Sequence, residues 1–276
     1  MRLKTIYCII SILMIGQALN AQSLHLLIEY PYQIIESKWE THPTDKTKTQ
    51  LNYYNNDYCP YYMFRINEKE AYSIKPGKTS LITKDKNDKM HKALGPGYYR
   101  YYRGMFLKSF NPAFVYAMPV KDGKTVMCTQ DLSERVKTIT FKSNYRDTVY
   151  ASRTGKVCNT DFNRGVLLYH EDGTFAAYLN LEEKFISPGD VARTGEPIGI
   201  SGFGGVSLSV FFLDENLFKF GETKVYPYTH FNPYFRTDKG DVRLEMNTEY
   251  KAVVDDDVIT SEMSKSQKKR YLNKKK

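Results

Sequence analysis

The sequence predicts an all-β protein with a small N-terminal β domain followed by an antiparallel β-sheet domain. Short runs of β-branched and aromatic residues recur along the chain, and turn-forming pairs such as Asp172-Gly173 and Pro188-Gly189 separate them. We find no long amphipathic helical pattern between these runs. Tyrosine is abundant, with 23 among 276 residues, and aromatic residues favour half-buried sheet faces.

The first 21 residues have the layout of a secretory signal peptide. Arg2 and Lys4 precede the apolar run 6–15, and small residues lead up to Ala21. A membrane-spanning helix needs about 20 apolar residues, so this run is too short to span a bilayer comfortably. We expect cleavage after Ala21 and a secreted or periplasmic protein.

Four cysteines are present, and Cys8 lies inside the predicted signal peptide. The mature chain then holds Cys59, Cys128 and Cys158, an odd number for an oxidising compartment. One disulfide and one free thiol is the simplest outcome, but the sequence does not choose the pair. Spacings this wide do not form a zinc knuckle.

The net charge of +9 is concentrated at the two ends of the chain. Arg2 and Lys4 supply +2, and residues 261–276 supply +6, from seven basic residues and Glu262. The folded body is nearly neutral, which argues against a nucleic-acid-binding protein. We expect the charged segment 255–276 to be a disordered, solvated tail, with contact to an anionic surface as the alternative.

Five sequence blocks in the middle of the chain match a known family in order and spacing. They are Thr148-Val149-Tyr150-Ala151, Gly155-Lys156-Val157, residues 163–174, Tyr178-Leu179-Asn180-Leu181 and residues 191–202. Over roughly residues 136–213 the chain resembles the lysostaphin/LytM-type zinc endopeptidases. The resemblance implies their β-sheet fold, and their activity is the cutting of peptidoglycan peptide crosslinks.

Members of that family hold zinc with the His and Asp of H-x-G-x-D and with the second His of H-x-H. Two further histidines assist the attacking water, and zinc keeps one position open for that water. Here Val136 and Ser209 stand at the ligand histidines, and Thr140 stands at the ligand aspartate. Asn180 and Ser207 stand at the two assisting histidines. All five chemical positions of the family are therefore replaced.

A shifted alignment does not restore the zinc site, because the only histidine between residues 92 and 229 is His170. A serine hydroxyl is a poor zinc ligand, and valine is none. We therefore expect no catalytic residues of the family type and no zinc. His170, Asn180, Ser207 and Ser209 are candidates for the lining of the remaining groove, although a scaffold role beside the Asp172-Gly173 turn is the favoured one for His170.

These observations predict the following division of the chain: a signal peptide over residues 1–21, an N-terminal β-rich domain over 22–119, a degenerate LytM/lysostaphin-like domain over 120–215, a β-rich extension over 216–254 and the charged tail over 255–276. Tyrosines of the N-terminal domain suit stacking on sugar rings, but their frequent occurrence on half-buried sheet faces is the favoured explanation.

The expected function is that of a pseudoenzyme in the bacterial cell envelope. Its groove would bind peptidoglycan peptides, or it would bind an envelope protein such as a wall hydrolase that it regulates. One alternative is an active zinc metalloendopeptidase with unorthodox ligands, for which His170, Asp172 and Cys158 are the candidates. Another is a structural or adhesion module whose groove is filled by Phe211, Phe212 or a loop.

Overall fold

The computed structural model describes residues 24–25, 28, 34–65, 71–88, 99–131, 136–160, 162–219 and 226–275. The predicted signal peptide, with its cleavage point at Ala21, lies outside these residues. Strands dominate the described chain, and the predicted all-β class is confirmed. Within the same ranges, no helix has both the length and the apolar character needed to cross a bilayer.

The N-terminal part forms two three-stranded antiparallel sheets, ordered β1-β2-β5 and β4-β3-β6. Their strands are β1 (Ile35–Thr41), β2 (Lys48–Asn55), β3 (Tyr61–Arg65), β4 (Ala71–Ile74), β5 (Gly77–Asp85) and β6 (Tyr99–Arg103).

The rest of the chain builds a large sheet with two smaller ones beside it. Its strands are β7 (Val115–Tyr116), β8 (Thr125–Asp131), β9 (Thr138–Lys142), β10 (Thr148–Tyr150), β11 (Gly155–Val157), β12 (Gly165–Tyr169), β13 (Phe175–Leu179), β14 (Leu181–Lys184), β15 (Val191–Ala192), β16 (Pro197–Ser201), β17 (Val206–Leu213), β18 (Tyr228–Phe231), β19 (Tyr234–Thr237), β20 (Gly240–Arg243) and β21 (Thr248–Lys251).

The large sheet has the order β15-β11-β12-β13-β17-β9-β8-β21, and β18 also pairs with β17. Strands β10, β16 and β14 form one small sheet, and β20, β19 and β7 form the other. Strands β18 and β21 come from the segment predicted to be an extension. That segment therefore completes the large sheet, because its strands hydrogen-bond to β17 and β8.

Strand β17 is buried on both faces, which explains its nearly continuous apolar composition. Val206, Leu208 and Val210 point into one core. Alternation along the strand places Ser207, Ser209, Phe211 and Leu213 on the opposite face. Phe211 and Leu213 belong to a second core, which also contains aromatic and aliphatic residues of the N-terminal strands. The large sheet is thus sandwiched between two apolar cores.

The C-terminal segment is helical over most of its length, which corrects the expectation of a disordered tail. Helix α1 (Asp256–Thr260) is capped by Asp255, whose side chain accepts a hydrogen bond from the Val258 amide. Helix α2 (Lys265–Lys274) begins with a capping box formed by Ser264 and Gln267. These helices were not predicted from the sequence, because the many lysines of the segment indicated a solvated tail.

An ion pair holds this helical segment to the body of the protein. The guanidinium of Arg153, which is buried, donates to Glu262 Oε1 at 2.9 and 2.6 Å. Arg153 also donates to Asp172 Oδ2 at 2.8 Å and lies over the Phe114 ring. Two carboxylates and an aromatic face therefore compensate for the burial of one guanidinium.

Candidate functional site

Thr140 and Ser207 lie directly opposite each other on the neighbouring strands β9 and β17. Their hydroxyl oxygens are 2.7 Å apart, so one hydroxyl donates to the other. Ser207 is buried, and Thr140 is half-buried. Thr140 aligns with the family's ligand aspartate and Ser207 with one assisting histidine. Here the two side chains form a neutral hydrogen bond with each other.

Ser209, at the second ligand-histidine position, is fully buried in a network that the sequence did not predict. Its hydroxyl donates to the Lys137 carbonyl at 2.7 Å and lies 2.9 Å from His230 Nδ1. The Tyr226 hydroxyl lies 2.8 Å from the other ring nitrogen, Nε2. Because the single proton of Ser209 goes to Lys137, His230 donates from Nδ1 and accepts from Tyr226 at Nε2.

The electrostatics of His230 agree with this arrangement of protons. Burial, reinforced by the positive charge of Lys137, lowers the pKa of His230 to about 3. The ring is therefore neutral at physiological pH and carries one donor and one acceptor, both of which are used. Ser209 has neither solvent access nor a free proton, so the Ser209–His230 pair is not an activated nucleophile.

Sequence reasoning missed His230 because it lies 21 residues beyond Ser209. Antiparallel pairing of β17 with β18 places His230 opposite Phe211, diagonally beside Ser209. Only the long-range strand pairing brings the two together, and no local motif predicts that pairing.

Asn180 stabilises the loop 202–205 instead of lining a groove. Its backbone has φ +64°, a left-handed conformation that asparagine tolerates better than most residues. Its side-chain amide donates to the carbonyls of Phe203 and Gly205 at 2.9 and 2.7 Å. Its own carbonyl accepts from the Gly202 amide at 2.7 Å. The glycine-rich loop 202–205 is therefore fixed by three hydrogen bonds.

Val136 precedes β9 and is half-buried against the second core. Its isopropyl group thus serves as packing where the family has a zinc ligand. Thr140, Ser207 and Ser209 share one region of the sheet, and Val136 and Asn180 lie at its borders.

His170 is separate from this region of the sheet. The pair β12–β13 ends at Gly165–Leu179 on the side of Asn180, and at Tyr169–Phe175 on the side of His170. His170 is fully buried, and its Nδ1 lies 2.8 Å from the Thr154 carbonyl. Burial and the nearby Arg153 charge lower its pKa. His170 is accordingly a scaffold residue of the β12–β13 turn.

The candidates for an unorthodox zinc site have other partners. Asp172 accepts from Arg153 and from the Thr174 amide and hydroxyl. Cys158 lies in the second core, close to Cys59. His170 Nε2 has no hydrogen-bond partner among the described residues, but His170, Asp172 and Cys158 do not come together there as a ligand set.

The second core covers the sheet face that carries Ser207 and Ser209. Phe211, on the same face, is fully buried, with its ring stacked on Phe175 at 5.3 Å. Tyr61, Met63 and Phe64 of the N-terminal strand β3 belong to the same core. Phe212 points the other way and is half-buried. Phe211 and the N-terminal strands thus pack on the sheet face that carries Ser207 and Ser209.

No protein-family model matches the chain, and no curated protein matches it. Solved structures that are similar to this chain include the M23 metalloprotease pseudoalterin from the deep sea, which is 10% identical. The match covers 47% of this chain and 94% of that chain, with a TM-score of 0.30. A putative M23 peptidase from Pseudomonas aeruginosa has 12% identity, coverages of 55% and 82%, and a TM-score of 0.31.

A zinc-containing peptidase from Vibrio cholerae has 13% identity, with 59% of this chain and 52% of that chain covered, and a TM-score of 0.27. All three of these structures are peptidases.

Proposed function

We propose that this protein is a catalytically inactive, peptidase-like protein of the bacterial cell envelope that acts by binding. Its partners are peptidoglycan peptides or an envelope protein, such as a wall hydrolase that it regulates. The observation that carries the proposal is the pair of hydrogen-bond networks, Thr140–Ser207 and Ser209–His230, at the positions where the family holds zinc.

These side chains do not fit the zinc of the family. A catalytic zinc needs about three nitrogen, oxygen or sulfur ligands and one open position for water. The hydroxyls of Thr140 and Ser207 bond to each other, and the Ser209 hydroxyl bonds to a backbone carbonyl. A neutral His230, with both nitrogens engaged, would have to give up Tyr226 or Ser209 to bind a metal. We therefore expect no zinc and no hydrolysis.

The loop 202–205 beside this region offers a surface for a partner. Phe203 in this loop is 88% exposed, although the loop backbone is fixed by Asn180. The adjacent loop carries Tyr145, also exposed, and its Arg146 amide donates to the Ser201 carbonyl. An aromatic side chain on an ordered backbone loses little entropy on binding, so Phe203 is a suitable anchor.

Co-sedimentation of the full chain with purified peptidoglycan tests the binding proposal. We expect wild-type retention, and a loss of at least about fivefold for Phe203→Ala, since truncating an anchor residue costs roughly 1 kcal/mol or more. Phe185→Ala is the matched control: Phe185 is 48% exposed and lies at the other end of the β14–β16 pair. Equal retention of both variants would remove Phe203 from the binding surface.

The same protein preparation tests inactivity. We expect well below one zinc per chain by elemental analysis, and no cleavage of crosslinked muropeptides with or without added zinc. One tightly held zinc per chain together with muropeptide cleavage would replace this proposal with the alternative, an active zinc metalloendopeptidase.

If neither purified peptidoglycan nor a purified wall hydrolase binds the protein, the binding proposal fails. Fractionation of cells that express the full chain tests the envelope location. We expect the protein outside the cytoplasm, with residues 1–21 removed.

A further inference from the structure

Two of the three cysteines outside the predicted signal peptide meet where the N-terminal strands pack on the large sheet. Cys59 immediately precedes the Pro60–β3 segment, and Cys158 immediately follows β11. Both are buried, and their sulfur atoms lie within 4.8 Å of each other and of an Asp57 carboxylate oxygen. Since the two residues belong to segments about 100 positions apart, a bond between them would close a long loop.

The carboxylate of Asp57 is already saturated by other groups. Its Oδ1 accepts from the amides of Tyr58 and Asn159 at 2.7 and 2.6 Å. Its Oδ2 accepts from the Tyr61 hydroxyl at 2.7 Å and forms a buried ion pair with Arg103. The guanidinium supplies a positive charge inside the cluster, which would repel a metal cation. The surroundings of the two sulfurs therefore disfavour a metal site.

The two sulfurs have no role in the proposed binding surface. Burial, together with the neighbouring Cys158, raises the pKa of Cys59 well above its usual range. The thiol of Cys59 donates weakly to Asp57 Oδ2, with a sulfur–oxygen distance of 3.3 Å. A buried protonated thiol is a poor nucleophile, which argues against a catalytic cysteine.

Cys128 is excluded from this pair by its position. It lies on β8 and belongs to the first core, with Val206 and Leu208, on the other side of the large sheet. Cys59 and Cys158 both belong to the second core. The sheet itself therefore separates the third thiol from the other two.

We propose that Cys59 and Cys158 form a disulfide that fastens the N-terminal strands to the large sheet, and that Cys128 remains a free thiol. The oxidation rests on the envelope location in the proposed function. The bond requires the two sulfurs, which lie within 4.8 Å of each other, to approach to about 2.05 Å.

The reaction is a thiol–disulfide exchange. The two thiols lose two protons and two electrons as the sulfur–sulfur bond forms, and a disulfide-bearing oxidoreductase or oxidised glutathione accepts them as it becomes a dithiol or two thiols. Because both sulfurs are inaccessible in the folded protein, this exchange takes place before the second core closes.

Peptide mapping of the wild-type full chain tests the pairing directly. The protein is purified without reductant from an exporting host, denatured, alkylated and digested without reduction. We expect one crosslinked peptide containing Cys59 and Cys158, and full alkylation of Cys128. Complete alkylation of Cys59 and Cys158 in this sample, and again after refolding in a glutathione redox buffer, would overturn the proposal.

The glutathione sample separates this inference from the proposed location. A crosslink that forms in the buffer but not in cells supports the pairing and counts against the envelope location. Thiols that are protected until a chelator is added, with one metal ion per chain, would overturn the disulfide in favour of a metal site.

Variants add a stability readout. We expect the Cys128→Ser variant to keep the crosslink and to be lighter than its reduced form by two hydrogens. The Cys158→Ser variant should lack both the crosslink and this mass difference. Reduction lowers the Tm of wild type and of Cys128→Ser by on the order of 10 °C, because the closed loop is long. The double variant C59S/C158S shows no such shift on reduction. If the double variant does not fold, the wild-type map and the Cys128→Ser shift decide the matter.

Discussion

The Nδ1 atom of His230 lies 2.9 Å from the hydroxyl of Ser209, inside the protein and next to the strand that would carry a zinc-binding histidine. The pairing of β17 with β18 creates this contact. It joins a residue of the family-like region to one from the C-terminal strands, so both segments determine the chemistry of this site.

Removing the Ser209 hydroxyl leaves the Lys137 carbonyl and the His230 N–H without their partner. We therefore expect Ser209→Ala to lower the free energy of unfolding by about 1–3 kcal/mol. Urea denaturation at pH 7 measures this change. Ser266→Ala, at an exposed serine of helix α2, should stay within about 0.5 kcal/mol of wild type. Equal effects for the two variants would contradict the network.

The buried histidine makes stability depend on pH. The pKa of His230 is about 3 in the folded protein and about 6.5 when unfolded, so the unfolded chain binds the additional proton between these values. Its contribution to stability is complete above pH 6.5 and falls as the pH drops toward 3. We expect a loss of about 1.4 kcal/mol per pH unit from this residue between pH 6 and 4.

Urea denaturation at pH 8, 6, 5 and 4 measures that slope, and His230→Gln removes this part of it. A constant offset between the two proteins does not matter, because the prediction concerns the slope alone. Parallel curves for wild type and His230→Gln would show that His230 titrates normally and is not buried as described.

The loop 202–205 beside Asn180 contains two glycines whose Cα atoms differ in the space around them. Both have positive φ, +85° at Gly204 and +98° at Gly205. A Cβ at Gly205 would overlap the Phe141 carbonyl, whereas a Cβ at Gly204 would meet open space. We expect Gly204→Ala to cost about 1 kcal/mol, and Gly205→Ala to cost about 3 kcal/mol or more. Thermal unfolding of both variants measures these costs. A larger cost for Gly204→Ala than for Gly205→Ala would contradict the described loop.

Arg153 connects the C-terminal helices to the sheet domain through Glu262. Arg153→Met removes the cation and leaves two carboxylates without their partner, at a cost of about 2–4 kcal/mol. We expect faster amide exchange and earlier proteolytic cleavage in residues 255–275. Arg193→Met, at an exposed ion pair with Glu196, is the control and should leave the helices protected. Unchanged protection in Arg153→Met would show that other contacts hold the helices.

Helix α2 lies in the segment for which contact with an anionic surface is the alternative prediction. Lys265 and Lys269 are exposed on it, and each lysine near an anionic surface contributes about 1 kcal/mol of binding. We expect the double substitution Lys265→Gln/Lys269→Gln to weaken binding to phosphatidylglycerol vesicles by at least about tenfold at low salt. A control pair at exposed lysines of the N-terminal part, Lys75→Gln/Lys86→Gln, should bind like wild type. Equal binding by all three proteins would exclude the helix as the contact.

Local sequence determined the strand content and the absence of an H-x-H pair between residues 92 and 229. Strand propensity and turn residues act within a few positions, so short apolar runs between glycines were enough to predict an all-β chain. The loss of an H-x-H pair follows from the positions of the histidines alone, because no fold can restore a residue type that is absent. Residue chemistry at Val136 and Ser209 thus excludes the family's ligands whatever the packing around them.

Only the tertiary structure decided what stands in their place. His230 reaches Ser209 through a strand pairing across 21 residues, and Cys59 meets Cys158 through the packing of N-terminal strands on the sheet. The capped helices near Arg153 were hidden in the sequence because their lysines suggested a solvated tail. Such contacts depend on register and on which faces pack together, and these follow from the sum of many weak interactions along the whole chain.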